Sequence, residues 1–443
     1  MTGENLRERK LIYISHLYPP ISTMGSFRAQ RMVRELSQHG WKSLVVAGKK
    51  VVGYEFDYKL EDYSLACARR GFVDPYAPIH YLRNHLPGFL AKSSKTQSAQ
   101  SEAGSEASLM AKVKTILRQA PRNLWFVSAN RMPDRFLPWI PAAYAAALQL
   151  VKEAGGADAV FASVGPPTDA IVGALVAEKL GLPLVVDFRD HWSLSPIELR
   201  WPLLHGMDQA VEKAVMRRAS RFTTVSGPIA EELEALHGKK TLVLPNSYDK
   251  TPRKRKFKTN PLGPFVLHTG SLYNGRRDPS VFLEGFARFA LENDCGRCHF
   301  VGPDAAQVVE PIARRLGIED RVMCSPSVDH ETALKWQKDA DILLMVEELS
   351  PLMRGVMTGK IFEYLGAGKP VIAQIPQDSA VSELLQHTKA GAALDTAEGV
   401  YAFLKDYKDQ GEDFYKPDRD AMAYYKSSAV AGRLADMLDE LVG

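Results

Sequence analysis

Residues 358–371 read Thr-Gly-Lys-Ile-Phe-Glu-Tyr-Leu-Gly-Ala-Gly-Lys-Pro-Val. The pattern predicts about two helical turns that start after Gly355 and stop at Gly366-Ala-Gly368. Lys369-Pro370 cannot continue a helix, and the apolar run 371–375 follows as a strand. Lys360 falls in the first turn and Glu363 three positions on, on the same face. A lysine at a helix N-terminus opposes the macrodipole unless an anion sits there. A carboxylate one turn later accepts hydrogen bonds from a diol. Phosphate plus sugar means a nucleotide. In this reading Glu363 is an exposed cleft carboxylate that contributes little to folding; the competing reading is an ordinary capped helix with a solvated Lys–Glu pair, Glu363 holding the helix together through Lys360.

The string 359–371 resembles the donor-nucleotide motif of GT-B glycosyltransferases of the retaining family-four type. The resemblance implies that Glu363 holds the ribose hydroxyls of a nucleotide-sugar. Many members of that family carry a second glutamate eight positions earlier, where this chain has Gly355. The missing carboxylate bears on how the donor sugar's own hydroxyls are held.

A length of 443 residues fits two large α/β domains. The content of 45% hydrophobic and 24% charged residues is that of a soluble globular chain. The polar first ten residues do not read as a signal peptide, and 136–151 is too short and proline-rich to span a bilayer. Four cysteines give no disulfide framework, and the lone C-x-x-C at Cys295 and Cys298 reads as two thiols in a reducing cytosol, with no metal site expected. The net charge is +4, unevenly spread: residues 1–50 hold nine Lys/Arg against three acids, and 253–258 is a basic run. It reads as a solvated linker or as attraction to an anionic membrane surface; nucleic acid is not expected, since no nucleic-acid motif accompanies the charge.

In chain order, 11–15 is a buried strand, 21–25 a flexible loop, Ser26 a helix cap and 43–47 the next strand. The loop ending in Gly25 lies where ligands bind in doubly wound sheets. Residues 92–107, rich in Ser, Ala, Gln and Glu, read as a flexible insertion. The aromatics of 124–127 and 133–141 read as an acceptor or membrane contact, or as packing under the sheet. Alternating strands and helices resume from 157 to 245, with Asp187-Phe-Arg-Asp-His-Trp192 closing one strand. A second αβα series opens at 264, and its first strand ends in Gly270-Ser-Leu-Tyr-Asn-Gly-Arg-Arg277 before a helix. Backbone N–H groups around Gly270, Asn274 and Gly275, with the guanidinium forks of Arg276 and Arg277, suit a pyrophosphate. A single long amphipathic helix is expected over 421–441.

The resemblance implies an α/β GT-B fold of two doubly wound Rossmann-like domains facing a central cleft. It assigns 1–247 to an acceptor-side domain and 248–420 to a donor domain, with 421–443 crossing back to the first. It implies a hexosyltransferase-like enzyme without metal or other cofactor, moving sugar from a UDP- or GDP-sugar to a glycan or lipid-linked acceptor at the inner face of the plasma membrane. Arg276, Lys360 and His191 take catalytic roles in this reading, and Gly25, Gly270, Asn274, Gly275, Arg277 and Glu363 bind donor. Two other readings compete. One is a GT-B nucleotide-sugar epimerase, and the other a non-catalytic nucleotide-binding partner in a glycan-assembly complex.

Overall fold

The computed structural model describes residues 8–49, 66–71, 133–193, 202–249 and 263–443. The expected insertion at 92–107, the aromatics at 124–127 and the basic run at 253–258 lie outside the described residues.

The first sheet is built from β1 (Arg9–Ser15), β2 (Trp41–Gly48), β3 (Ala66–Arg70), β4 (Ala159–Val164), β5 (Leu184–Phe188), β6 (Arg221–Thr224) and β7 (Thr241–Val243). The intervening helices are α1 (Met24–Leu36), α2 (Ile140–Ala154), α3 (Thr168–Leu180), α4 (Pro202–Met216) and α5 (Gly227–His237). The strand order is β3-β2-β1-β4-β5-β6-β7. β1 runs parallel to both β2 and β4, with Ile12 opposite Leu44 on one side and Val160 on the other. Helices cover both faces of such a sheet, so the strands read as continuous apolar runs; every residue of β4 and β5 is buried. The chain leaves β1 for β2 and returns to its other side at β4, which makes the carboxyl end of β1 a topological switch point.

The second sheet comprises β8 (Phe265–Thr269), β9 (Arg297–Val301), β10 (Val322–Ser325), β11 (Ile342–Val346), β12 (Val371–Gln374) and β13 (Gly391–Ala393). Its helices are α6 (Ser280–Asn293), α7 (Ala305–Leu316), α8 (His330–Asp339), α9 (Gly359–Ala367), α10 (Ala380–Thr388) and α11 (Ala397–Gln410). The order β10-β9-β8-β11-β12-β13 is again doubly wound, with the switch between β8 and β11. Two apolar clusters cover the faces of the sheet, one including Ile361, Phe362 and Leu365 and the other Phe282, Phe286 and Phe300.

The chain divides into two compact units, one of residues up to Val33, Gly40–Phe222 and Leu438–Gly443, the other of Arg34–His39 and Thr223–Met437. In the first, Asp439 accepts a hydrogen bond from Trp41 Nε1 at 2.8 Å.

Three expectations change. Helix α1 begins at Met24, and the hydroxyl of Thr23, not Ser26, takes the third helical N–H at 3.2 Å. The terminal helix is two helices, α12 (Arg419–Ala423) and α13 (Ser427–Val442). The ladder breaks between them because Tyr248 engages the backbone there: its N–H bonds Tyr425 O at 3.2 Å and its carbonyl takes the Ser427 N–H at 3.0 Å. Phe136 and Trp139 are buried, and the Trp139 indole donates to Arg70 O at 2.9 Å, so these two aromatics are core and not a membrane or acceptor contact. Among the described residues no helix is long and apolar enough to cross a membrane.

Candidate functional site: a lysine–glutamate helix over the loop after β8

Helix α9 is preceded by Thr358, whose backbone is extended, and followed by Gly368 in the left-handed region with φ 70°. The Gly368 N–H closes the last turn on Tyr364 O and Leu365 O, the glycine termination that the sequence predicts. Ile361, Phe362, Tyr364 and Leu365 are buried in the core, which leaves Lys360 and Glu363 on the remaining face.

Lys360 Nζ lies against Gly270: a Cβ built there stands 2.3 Å from it. Gly270 also has φ +127°, so neither the space nor the backbone admits a side chain. Burial lowers the Lys360 pKa to about 8, assisted by Arg277 and opposed by Glu347, Glu363 and Asp304. Arg277 Nε pairs with Glu347 Oε2 at 2.7 Å, and its guanidinium lies over the Tyr273 ring at 4.5 Å. Glu347, just past β11, is 1% exposed. Burial raises its pKa, with Arg277 and Lys360 pulling the other way. Arg276 behaves differently: its side chain is 65% exposed and reaches Glu348 at 3.3 Å.

The loop between β8 and α6 is held by one carboxylate. Asp304 accepts from the Ser271 hydroxyl at 3.0 Å, the Leu272 N–H at 2.9 Å and the Asn274 N–H at 2.7 Å. Burial pushes the Asp304 carboxyl up, but these donors outweigh it and its pKa is lowered. The bonds hold Tyr273 at φ 51° and Asn274 at φ 54°, left-handed values that cost a non-glycine residue on the order of 1 kcal/mol each. Gly302 lets the next turn approach, since a Cβ there would meet Gly270 O at 2.3 Å. The Asn274 N–H is engaged by Asp304 and the Gly275 N–H by Leu272 O, so both already serve the loop itself. The positive charge at this sheet edge comes from Lys360, Arg277 and Arg276.

Glu363 departs from the sequence reading. Its side chain is 10% exposed, and its hydrogen bonds go to α8, not to Lys360. Oε1 accepts from His330 Nε2 at 2.9 Å and Oε2 from Gln337 Nε2 at 3.4 Å.

In the first unit, Gly25 serves Arg189: a Cβ at Gly25 would lie 1.6 Å from Arg189 Nη1. The same guanidinium donates to Gly165 O. Asp187 pairs with Arg28 of α1 at 2.8 Å and accepts from Ser163 at 3.3 Å, all buried. His191 follows in the half-buried turn after β5. Gly25 and His191 therefore belong to the first unit, while Lys360, Arg276, Arg277, Glu363, Gly270, Asn274 and Gly275 gather in the second.

Sequence reasoning missed His330, Gln337, Glu347 and Asp304. His330 and Gln337 have spacing i, i+7, one face of a helix, and that pattern was the available signal. Glu347 and Asp304 each follow a strand by one to three residues, the usual place for ligand-facing groups in this topology.

Two doubly wound parallel sheets with a Lys–Glu helix beside the second switch point define the GT-B class. The chain belongs to the glycosyl transferase 4-like family, whose domain matches residues 26–247. No protein of curated function matches by sequence. Several solved structures share the fold along nearly the whole chain. Sucrose-phosphate synthase from Thermosynechococcus elongatus has a TM-score of 0.58 at 13% identity, covering 98% of this chain and 99% of its own. Anabaena HepE in complex with UDP-glucose has 0.57 at 14%, covering 98% and 100%. The lipopolysaccharide outer core galactosyltransferase WaaB has 0.54 at 12%, covering 97% and 99%.

Proposed function

We propose that this protein is a retaining glycosyltransferase. It moves a sugar from a UDP- or GDP-sugar to a hydroxyl of a glycan or lipid-linked acceptor in cell-surface polysaccharide biosynthesis. The observation that carries the proposal is Lys360 and Arg277 beside Gly270, with Glu363 one turn along α9: a place for two phosphates next to a place for a ribose. The structure of HepE with UDP-glucose on the same fold supports a nucleotide-sugar donor.

In this reading Lys360 and Arg277 take up the charge that develops on the leaving diphosphate, without a metal. Charge-assisted hydrogen bonds to that group strengthen in the transition state, so they accelerate the reaction as well as binding donor. Arg277 takes this role ahead of Arg276, because it is half-buried beside Lys360 while the Arg276 side chain is exposed. The leaving phosphate deprotonates the acceptor hydroxyl, so the reaction needs no side-chain base and His191 is not required for it.

The test is Glu363→Ala. Loss of charge-assisted bonds to two ribose hydroxyls, about 1.5–3 kcal/mol, weakens nucleoside diphosphate binding by about ten- to a hundredfold. Binding of inorganic pyrophosphate stays as it was. Equal loss for both ligands, or for neither, refutes the assignment. Because Glu363 is bonded to His330 and Gln337, the variant also melts lower; selectivity between the two ligands is the readout, not stability.

A putative UDP-N-acetylglucosamine 2-epimerase from Listeria monocytogenes shares the fold with a TM-score of 0.53. Incubation of donor without acceptor separates the readings, since an epimerase changes the sugar with no acceptor present.

A further inference from the structure

Both donors to Glu363 come from one helix. His330 is the first residue of α8, fixed by Asp329, whose side chain takes the Thr332 N–H at 3.0 Å and the Thr332 hydroxyl at 2.7 Å. Gln337 lies two turns on, 1% exposed, and its amide nitrogen also donates to Thr269 Oγ1 at 3.1 Å. The two side chains share a face of α8 and each engages a different oxygen of the carboxylate.

An ionised carboxylate offers about four acceptor positions, two per oxygen. His330 takes one on Oε1 and Gln337 one on Oε2. One position per oxygen remains, which matches the two O–H groups of a vicinal diol. We propose that His330 and Gln337 are positioning residues that lock the Glu363 carboxylate as a diol receptor and so make the site select ribonucleotides over 2′-deoxyribonucleotides. The inference rests on the nucleotide-sugar reading given above.

The physical cause is pre-organisation. An unclamped carboxylate turns about its last torsion and meets one hydroxyl nearly as well as two. A clamped one leaves a buried lone pair without a partner when the 2′-hydroxyl is absent, and sites built to bond a hydroxyl reject analogues that lack it. His330 acts through Glu363 and needs no contact with the ligand.

The experiment measures calorimetric affinities of the full chain for UDP, GDP and ADP, for the 2′-deoxy form of the tightest of them, and for inorganic pyrophosphate. The variants are His330→Leu, His330→Gln, Glu363→Ala and the double variant His330→Leu/Glu363→Ala. Wild type is expected to prefer the ribonucleotide by about tenfold or more, as one unmade charge-assisted bond implies. His330→Leu weakens the ribonucleotide, leaves pyrophosphate unchanged and narrows the preference to within about threefold. His330→Gln, which keeps an N–H donor, restores most of it. The double variant is no weaker than Glu363→Ala alone. Retained preference in His330→Leu, or losses that add in the double variant, overturns the positioning role while leaving the ribose assignment standing. No binding by any of the three nucleotides, or an unchanged Glu363→Ala, overturns the ribose assignment and the positioning role with it. Should His330→Leu fail to fold, His330→Ala is read in the same way, since a third of this side chain is exposed.

Discussion

Lys360 gives the sharpest pH prediction. Its pKa is lowered to about 8 by burial and by Arg277, against the pull of Glu347, Glu363 and Asp304. Only its cationic form attracts a diphosphate. The bound anion raises the pKa again, so affinity falls as pH climbs from about 8 toward the bound-state value. From pH 7.5 to 9.5 the cationic fraction drops about twenty-fivefold, which is ~1.9 kcal/mol of binding free energy. The terminal phosphate of a nucleoside diphosphate ionises near pH 6, below the window, whereas inorganic pyrophosphate sheds its last proton inside it and does not serve here. The assay is calorimetric titration of ADP, whose base and phosphates keep their charge across this window, at half-unit pH intervals. Wild type is expected to bend downward near pH 8. Lys360→Arg, whose charge does not titrate there, is expected to bind with a flat profile, and Lys360→Met weakly and flat. The folded-state pKa lies below the unfolded one, so the unfolded chain holds more protons between pH 8 and 10.5. Ligand-free wild type therefore gains stability relative to Lys360→Met as pH rises through that window. A wild-type affinity flat from pH 7.5 to 9.5, or a bend that survives in Lys360→Arg, would refute the reasoning.

Two further outcomes are expected. Arg28→Ala removes the cation from the buried Arg28–Asp187 pair, and is expected to cost about 3–5 kcal/mol, read as a lower urea midpoint; replacing both partners with apolar residues costs less than removing one. Arg277→Ala is expected to weaken pyrophosphate by tenfold or more and to lower the melting temperature by stranding Glu347, while Arg276→Ala, an exposed pair worth about 0–1 kcal/mol, changes stability little and affinity within about threefold.

The sheets were legible because parallel strands buried on both faces are written as unbroken apolar runs, as in 159–164 and 342–346. Helix ends were legible where glycine takes the left-handed cap, as at Gly181 and Gly368. β1 and β2 extend beyond the apolar reading to Arg9 and Trp41, because the parallel ladder pairs those residues whatever their polarity. The break at 424–426 was not legible, since it depends on Tyr248, far away in the chain. The site divides in the same way. Lys360 and Glu363 are marked by local spacing on one helix. Their partners His330, Gln337, Glu347 and Asp304 arrive from other βα units, and only the sheet order brings them together.

The hold of Asp304 on the loop after β8 bears on transplantation. Three donors of that loop converge on a side chain some thirty positions downstream, and Gly302 clears the room for the approach. The loop is thus half of a two-part component. Copying 270–277 into another scaffold carries the letters but not the shape, because without Asp304 nothing holds Tyr273 and Asn274 in the left-handed region. A graft of the loop therefore needs 302–304 with it.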